Sequence, residues 1–180
     1  MTTENRKLLK LSVAAMFTAL ICVATMVIQI PSPLQGYVNF GDCFILVGAW
    51  ILGPAYGTAA AAIGSAMADL FTGYAHYIPC TLVVKGLIAL SAAVIARMFI
   101  EKSEKLRTAG HIIGAATGEL IMVGGYYLYA ALLLGKSFEG AWASVPGNLL
   151  QGAFGMVCGV VIIGVIAKTR VLKRFECYAV

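Results

Sequence analysis

The sequence predicts an all-α integral membrane protein, with six transmembrane helices in one bundle and both the N- and C-termini cytoplasmic. Three observations carry that expectation. The 180-residue chain is 61% hydrophobic and only 12% charged, whereas a soluble domain is about half apolar and about a quarter charged. Its apolar residues fall into runs long enough to cross a bilayer. Its basic residues sit in short clusters at the ends of those runs, so the net charge of +5 reads as membrane orientation and not as a nucleic-acid surface. No polar stretch is long enough for a separate soluble unit, and residues 1–180 are expected to form a single membrane domain.

The first expected span, residues 11–30, follows a basic start with Arg6, Lys7 and Lys10. A secretory signal peptide begins in a similar way, but no small-residue cleavage site followed by a polar mature domain appears. Pro31 and Pro33 stop the helix and open a loop that leads into Leu34–Asp42, a polar stretch between two hydrophobic runs. From Phe40 to Phe71 the chain is apolar over a length that would reach roughly 48 Å as one helix, too long for a hydrocarbon core of about 30 Å. A turn at Gly53-Pro54 divides it into spans 40–52 and 55–71, the latter rich in Ala and Gly and suited to close packing. Spans 79–100, with Lys85 inside, 110–134, with Glu119, and 144–167, with Asn148 and Gln151, complete the set.

Charge counting favours six spans over five. With six, the start, the linker around Arg97 to Arg107 and the tail carry 3, 4 and 4 Lys/Arg on the cytoplasmic side, and Lys136 alone lies in an outer loop. Were Gly53-Pro54 only a kink, eight of those basic residues would be translocated.

In that topology Asp42, Asp69, Lys85, Asn148 and Gln151 fall in the outer half, Glu119 lies nearer the middle, and Tyr126 sits two turns further out on the face of Glu119. Buried acids, bases and amides cost several kcal/mol unless paired, so their convergence points to a binding site, with the loop from Pro31 to Asn39 as a lid. Structural readings stand beside it. Lys85 has two candidate ion-pair partners, Asp69 and Glu119; Asp42 suits an N-cap; Tyr37, Tyr74, Tyr77 and Trp142 suit an interfacial belt. His76 and His111 lack a metal-ligand spacing, and the five scattered cysteines form no Cys-x-x-Cys pair, so no metal is expected. Ala15 with Ala19, and Ala92 with Ala96, form small-residue strips suited to helix docking.

Four segments together resemble a known family: Gly36-Tyr37-Val38-Asn39-Phe40-Gly41-Asp42; Gly53-Pro54 with Gly64-Ser65-Ala66-Met67-Ala68-Asp69; Val84-Lys85-Gly86-Leu87; and Gly147-Asn148-Leu149-Leu150-Gln151-Gly152. The chain resembles the S components of energy-coupling factor (ECF) vitamin transporters, in the riboflavin, hydroxymethylpyrimidine and pyridoxine branch. The resemblance implies a multi-pass protein of the bacterial cell membrane that captures a vitamin from outside and docks on a transmembrane T component driven by two cytoplasmic ATPases. By it, substrate binding falls to Asn39, Lys85, Glu119, Tyr126, Asn148 and Gln151, the gate to the loop at Gly36 and Tyr37, and T-component docking to Ala15 and Ala19; Asp42 joins the binding set from the polar stretch itself. The vitamin would be the ligand, with no cofactor.

Carboxylate chemistry at Glu119, opposite a pyridine or pyrimidine nitrogen, favours pyridoxine or hydroxymethylpyrimidine over riboflavin. No Gly-x-x-x-x-Gly-Lys-Ser/Thr loop is present, so ATP hydrolysis is not expected in this chain. The rival reading is a self-sufficient proton-coupled secondary transporter, with Asp42, Asp69 and Glu119 carrying protons. An intramembrane enzyme lacks support, since Gly64-Ser65 is followed by Ala-Met and not by the Gly-x-Ser-x-Gly pattern.

Overall fold

The protein is described by a computed structural model over residues 3–31 and 37–169. Gly36, expected in the gate, and nearly all of the basic tail lie outside the described residues.

Among the described residues there are five long helices: α1 (Thr3–Val27), α2 (Gly41–Phe71), α3 (Ile78–Lys102), α4 (Arg107–Leu132) and α6 (Val145–Lys168), with a short α5 (Phe138–Ala141) before the last. Spans 40–52 and 55–71, expected as separate helices, are the two helical halves of α2, joined at a break at Gly53 and packed so closely that a Cβ on Gly57 would lie 2.7 Å from the Ala49 Cα. At Gly53 the backbone has φ 76° and ψ −179°, a conformation that only glycine adopts at low cost. Pro54 follows in the first turn of the second half, where its missing N–H breaks no helical hydrogen bond.

The loop after α1 departs from the all-α expectation. β1 (Gln29–Pro31) and β2 (Tyr37–Asn39) pair antiparallel, with Gln29 opposite Asn39 and Pro31 opposite Tyr37. The first helix therefore ends at Val27, earlier than residue 30, and the chain returns toward the bundle as a two-stranded ribbon. At its end the Asn39 side-chain oxygen accepts from Gly41 N–H at 2.9 Å. This Asx turn leads into α2, whose N-cap is Phe40 with no side-chain cap, so Asp42 does not cap the helix as expected and pairs elsewhere.

Four helical segments are long and apolar enough to cross a membrane, Glu4–Val27, Gly41–Phe71, Ala75–Lys102 and Phe138–Lys168. Helix α4 is similar in length but carries His111, Glu119 and Tyr126, Tyr127 and Tyr129, and it is not among them. The outward face of α1 presents Leu11, Met16, Val23 and Val27, apolar side chains suited to lipid contact.

Helix α2 packs on α1, α3 and α6, while α4 joins α3 to α6. Small residues set the spacing. A Cβ on Gly114 would lie 2.8 Å from the Ala92 carbonyl oxygen, and one on Gly118 would lie 3.0 Å from that of Ile88. Ala96 likewise meets Gly110, so the Ala92/Ala96 strip serves packing of α3 on α4 within the bundle. Ala15 and Ala19 lie on the exposed side of α1. In the core, Trp50 donates from its indole N–H to the Ala92 carbonyl at 3.2 Å, and its ring lies 4.5 Å from that of His111.

Candidate functional site: a polar cavity under the ribbon

The helix periodicity that buries apolar residues also brings polar ones inward from every side. Thr81 and Lys85 are one turn apart on α3; Glu119, Met122 and Tyr126 follow the i, i+3, i+7 rule on α4; Asn148 and Gln151 share a face of α6. Together with Thr25 of α1, Tyr37 and Asn39 of the ribbon, Ser65 and Asp69 of α2, Tyr77, Ala130 and Ser144, five of these side chains (Thr81, Lys85, Tyr126, Asn148 and Gln151) line a cavity of about 50 Å³. That is several times what one water needs.

Beneath this cavity lies a buried ion pair. Lys85 donates from Nζ to Asp42 Oδ1 at 2.5 Å, and Gln151 donates from Nε2 to Asp42 Oδ2 at 2.5 Å. Both residues also approach Met122 Sδ, at 3.3 Å and 3.4 Å, and the ammonium lies 5.7 Å from the centre of the Tyr126 ring, a cation–π distance. Asp42 is fully buried and Lys85 is 2% exposed. Neither partner expected for Lys85, Asp69 or Glu119, holds it. Asp42 does so because the break in the chain before α2 places that carboxylate in the first helical turn, aimed across the bundle and not along its own backbone.

Gln151 connects the pair to the ribbon, its side-chain oxygen accepting the Asn39 backbone N–H at 2.8 Å. A second tie runs from the Tyr37 hydroxyl to Asp69 Oδ1 at 2.6 Å. Burial first, and then the Asp69 charge, push the Tyr37 phenol above its ordinary value, which keeps it a donor. The ring of Tyr37 lies against Tyr74 with centroids 4.7 Å apart. Thr81 and Tyr126 share a hydrogen bond at 3.1 Å, and the Tyr129 hydroxyl donates to the His76 carbonyl.

Of the residues singled out from sequence, Tyr37, Asn39, Lys85, Tyr126, Asn148 and Gln151 line the cavity, and Asp42 sits behind it as the Lys85 partner. Glu119 is not in the wall. It lies among the α6 glycines, 3.0 Å from the position a Gly152 Cβ would take, and both its oxygens are buried without a hydrogen-bond partner. Sequence reasoning did not reach Thr25, Ser65, Thr81 or Ser144, since lone hydroxyl residues in apolar helices carry no spacing signal. No group of three or more His, Cys, Asp or Glu side chains among the described residues could hold a metal ion.

The sequence matches the family described as ECF-type riboflavin transporter, S component, over residues 5–168. The chain belongs to that family. It is therefore a multi-pass membrane subunit that binds substrate for an ECF transporter, and not an enzyme. It is also 37% identical over 153 residues to an uncharacterized protein in the gap 3′ region of Pyrococcus woesei, covering 84% of this chain and 96% of that one. Its fold is similar to a solved S component of a bacterial ECF transporter, with a TM-score of 0.66 at 20% identity, over 89% of this chain and 96% of the other. The cavity is bordered by the ribbon, lined by hydrogen-bonding groups and backed by the Lys85–Asp42 pair.

Proposed function

We propose that this S component captures a single-ring, hydroxylated heteroaromatic vitamin or precursor, pyridoxine or hydroxymethylpyrimidine, from the outer side of the membrane. The observation that carries the reading is the cavity itself: about 50 Å³, lined by Lys85, Asn148, Gln151, Thr81 and Asp69 with only three tyrosines in the wall. Amides, a hydroxyl and an ammonium suit ring nitrogens and hydroxyl groups, and a tyrosine face suits one aromatic ring. Three fused rings need more aromatic wall. Riboflavin is the second reading, favoured by the description of the family.

In this reading the chain crosses the membrane six times, with Gly53-Pro54 as the turn between the second and third spans and both termini in the cytoplasm. Asn39, Lys85, Tyr126, Asn148 and Gln151 contact the substrate, Asp42 fixes the Lys85 ammonium, and Tyr37 belongs to the gate. Glu119 stands behind the wall and not in contact with the ligand. Ala15 and Ala19, on the exposed side of α1, meet a T component that works with two ATPases.

Two experiments test this. Titration of the purified chain with pyridoxine, hydroxymethylpyrimidine and riboflavin is expected to give tight binding of one of the first two. Uptake of that compound into liposomes is expected only when a T component, two ATPases and ATP are supplied. Uptake by this chain alone under a pH gradient would instead establish a proton-coupled secondary transporter.

A further inference from the structure

Among the described residues Asp69 is the carboxylate that lines the cavity, and its two oxygens have different fates. Oδ1 accepts the Tyr37 hydroxyl at 2.6 Å, while Oδ2 is buried with no hydrogen-bond partner. The neighbouring Thr81 hydroxyl shares with Tyr126 a hydrogen bond that either oxygen can donate, and Asp69 as a whole is only 4% exposed. A carboxylate oxygen shut away from water and left unpaired is costly, and a donor supplied by a molecule in the cavity removes that cost. The other oxygen meanwhile holds β2, the strand of the ribbon that enters the cavity wall.

We infer that Asp69 is a specificity-determining residue that accepts a hydrogen bond from a hydroxyl, amino or protonated ring-nitrogen donor of the substrate, and that the Tyr37–Asp69 bond is the latch holding the ribbon over it. The inference rests on the substrate-binding reading proposed above. One carboxylate is thereby shared between ligand and ribbon. A bound donor fixes the Asp69 side chain in the rotamer that Tyr37 needs, and the Tyr37 bond in turn positions Asp69 for the donor. Ligands without a donor leave Oδ2 unpaired and are disfavoured, because a site built to pair a polar group discriminates strongly against an analogue that lacks its partner.

The test is ligand dissociation from the full chain in detergent, with pyridoxine, hydroxymethylpyrimidine and riboflavin as probes, for wild type, Tyr37→Phe, Asp69→Ala and the double variant. Thermal unfolding checks that each is folded. Tyr37→Phe keeps the ring and removes only the hydroxyl, and is expected to speed dissociation about tenfold or more, as for loss of a hydrogen bond to a charged group. In the Asp69→Ala background the same change is expected to add nothing, since the bond is already gone. Unchanged dissociation in Tyr37→Phe, or fully additive effects in the double variant, overturns the inference while leaving the proposed function in place. Absence of binding of all three probes to wild type overturns both.

Discussion

Lys85 Nζ lies 2.5 Å from Asp42 Oδ1, joining a point about two turns into α3 to the first turn of α2 with both side chains shut off from solvent. Breaking such a pair from one side strands a charge, at a cost of about 3–5 kcal/mol, whereas replacing both partners with apolar groups is close to neutral. Asp42→Ala and Lys85→Ala are each expected to lower the unfolding temperature in detergent strongly. The pair Asp42→Leu with Lys85→Met is expected to restore much of it while abolishing ligand binding. Recovery of both stability and binding would mean that the ion pair has no part in recognition.

The glycines of α4 offer a contrast in packing. A Cβ on Gly114 would meet backbone of α3 at 2.8 Å, while one on Gly124 would meet nothing within 4 Å. Gly114→Ala is expected to destabilise by about 1–3 kcal/mol through overpacking. Gly124→Ala is expected to be neutral or to stabilise by about 0.5–1 kcal/mol through helix propensity. Thermal unfolding of the two variants side by side checks the close approach of α3 and α4.

A third prediction separates wall from scaffold. Gln151 touches Asp42, Met122 and the Asn39 backbone at once, and Gln151→Ala is expected to weaken ligand binding by about tenfold or more. Glu119 does not line the cavity, and Glu119→Gln is expected to leave affinity close to wild type. Isothermal titration of both variants decides the matter, and a large loss in Glu119→Gln would move that carboxylate into the site.

Docking is expected to be separable from capture. Ala15 and Ala19 face outward on α1, away from the cavity, so Ala15→Leu with Ala19→Leu is expected to retain ligand affinity and to lose ATP-driven uptake with the T component. Equal loss of binding and uptake would argue against a docking role.

Much of this architecture was legible in the sequence, for reasons that differ from residue to residue. The break at Gly53-Pro54 could be read because the apolar run was too long and only that dipeptide could interrupt it. Lys85, Tyr126, Asn148 and Gln151 could be read because polar groups on apolar helices must turn inward. The partner of Lys85 could not, since three carboxylates were available and only tertiary placement chooses Asp42. Nor was the ribbon legible: its strands are three residues each, and two prolines in the segment between helices spoke only for a loop. Glu119 shares a helical face with Tyr126, but lying nearly two turns deeper it falls behind the cavity floor instead of in its wall.

The most direct test of the central claim is mass spectrometry of whatever small molecule co-purifies with the chain in detergent, followed by titration of wild type and the Asp42→Leu/Lys85→Met variant with that compound. A hydroxylated single-ring heteroaromatic at near-stoichiometric amount, bound by wild type and not by the variant, is the predicted result. An empty protein that binds no vitamin and moves protons across liposome membranes on its own would contradict it.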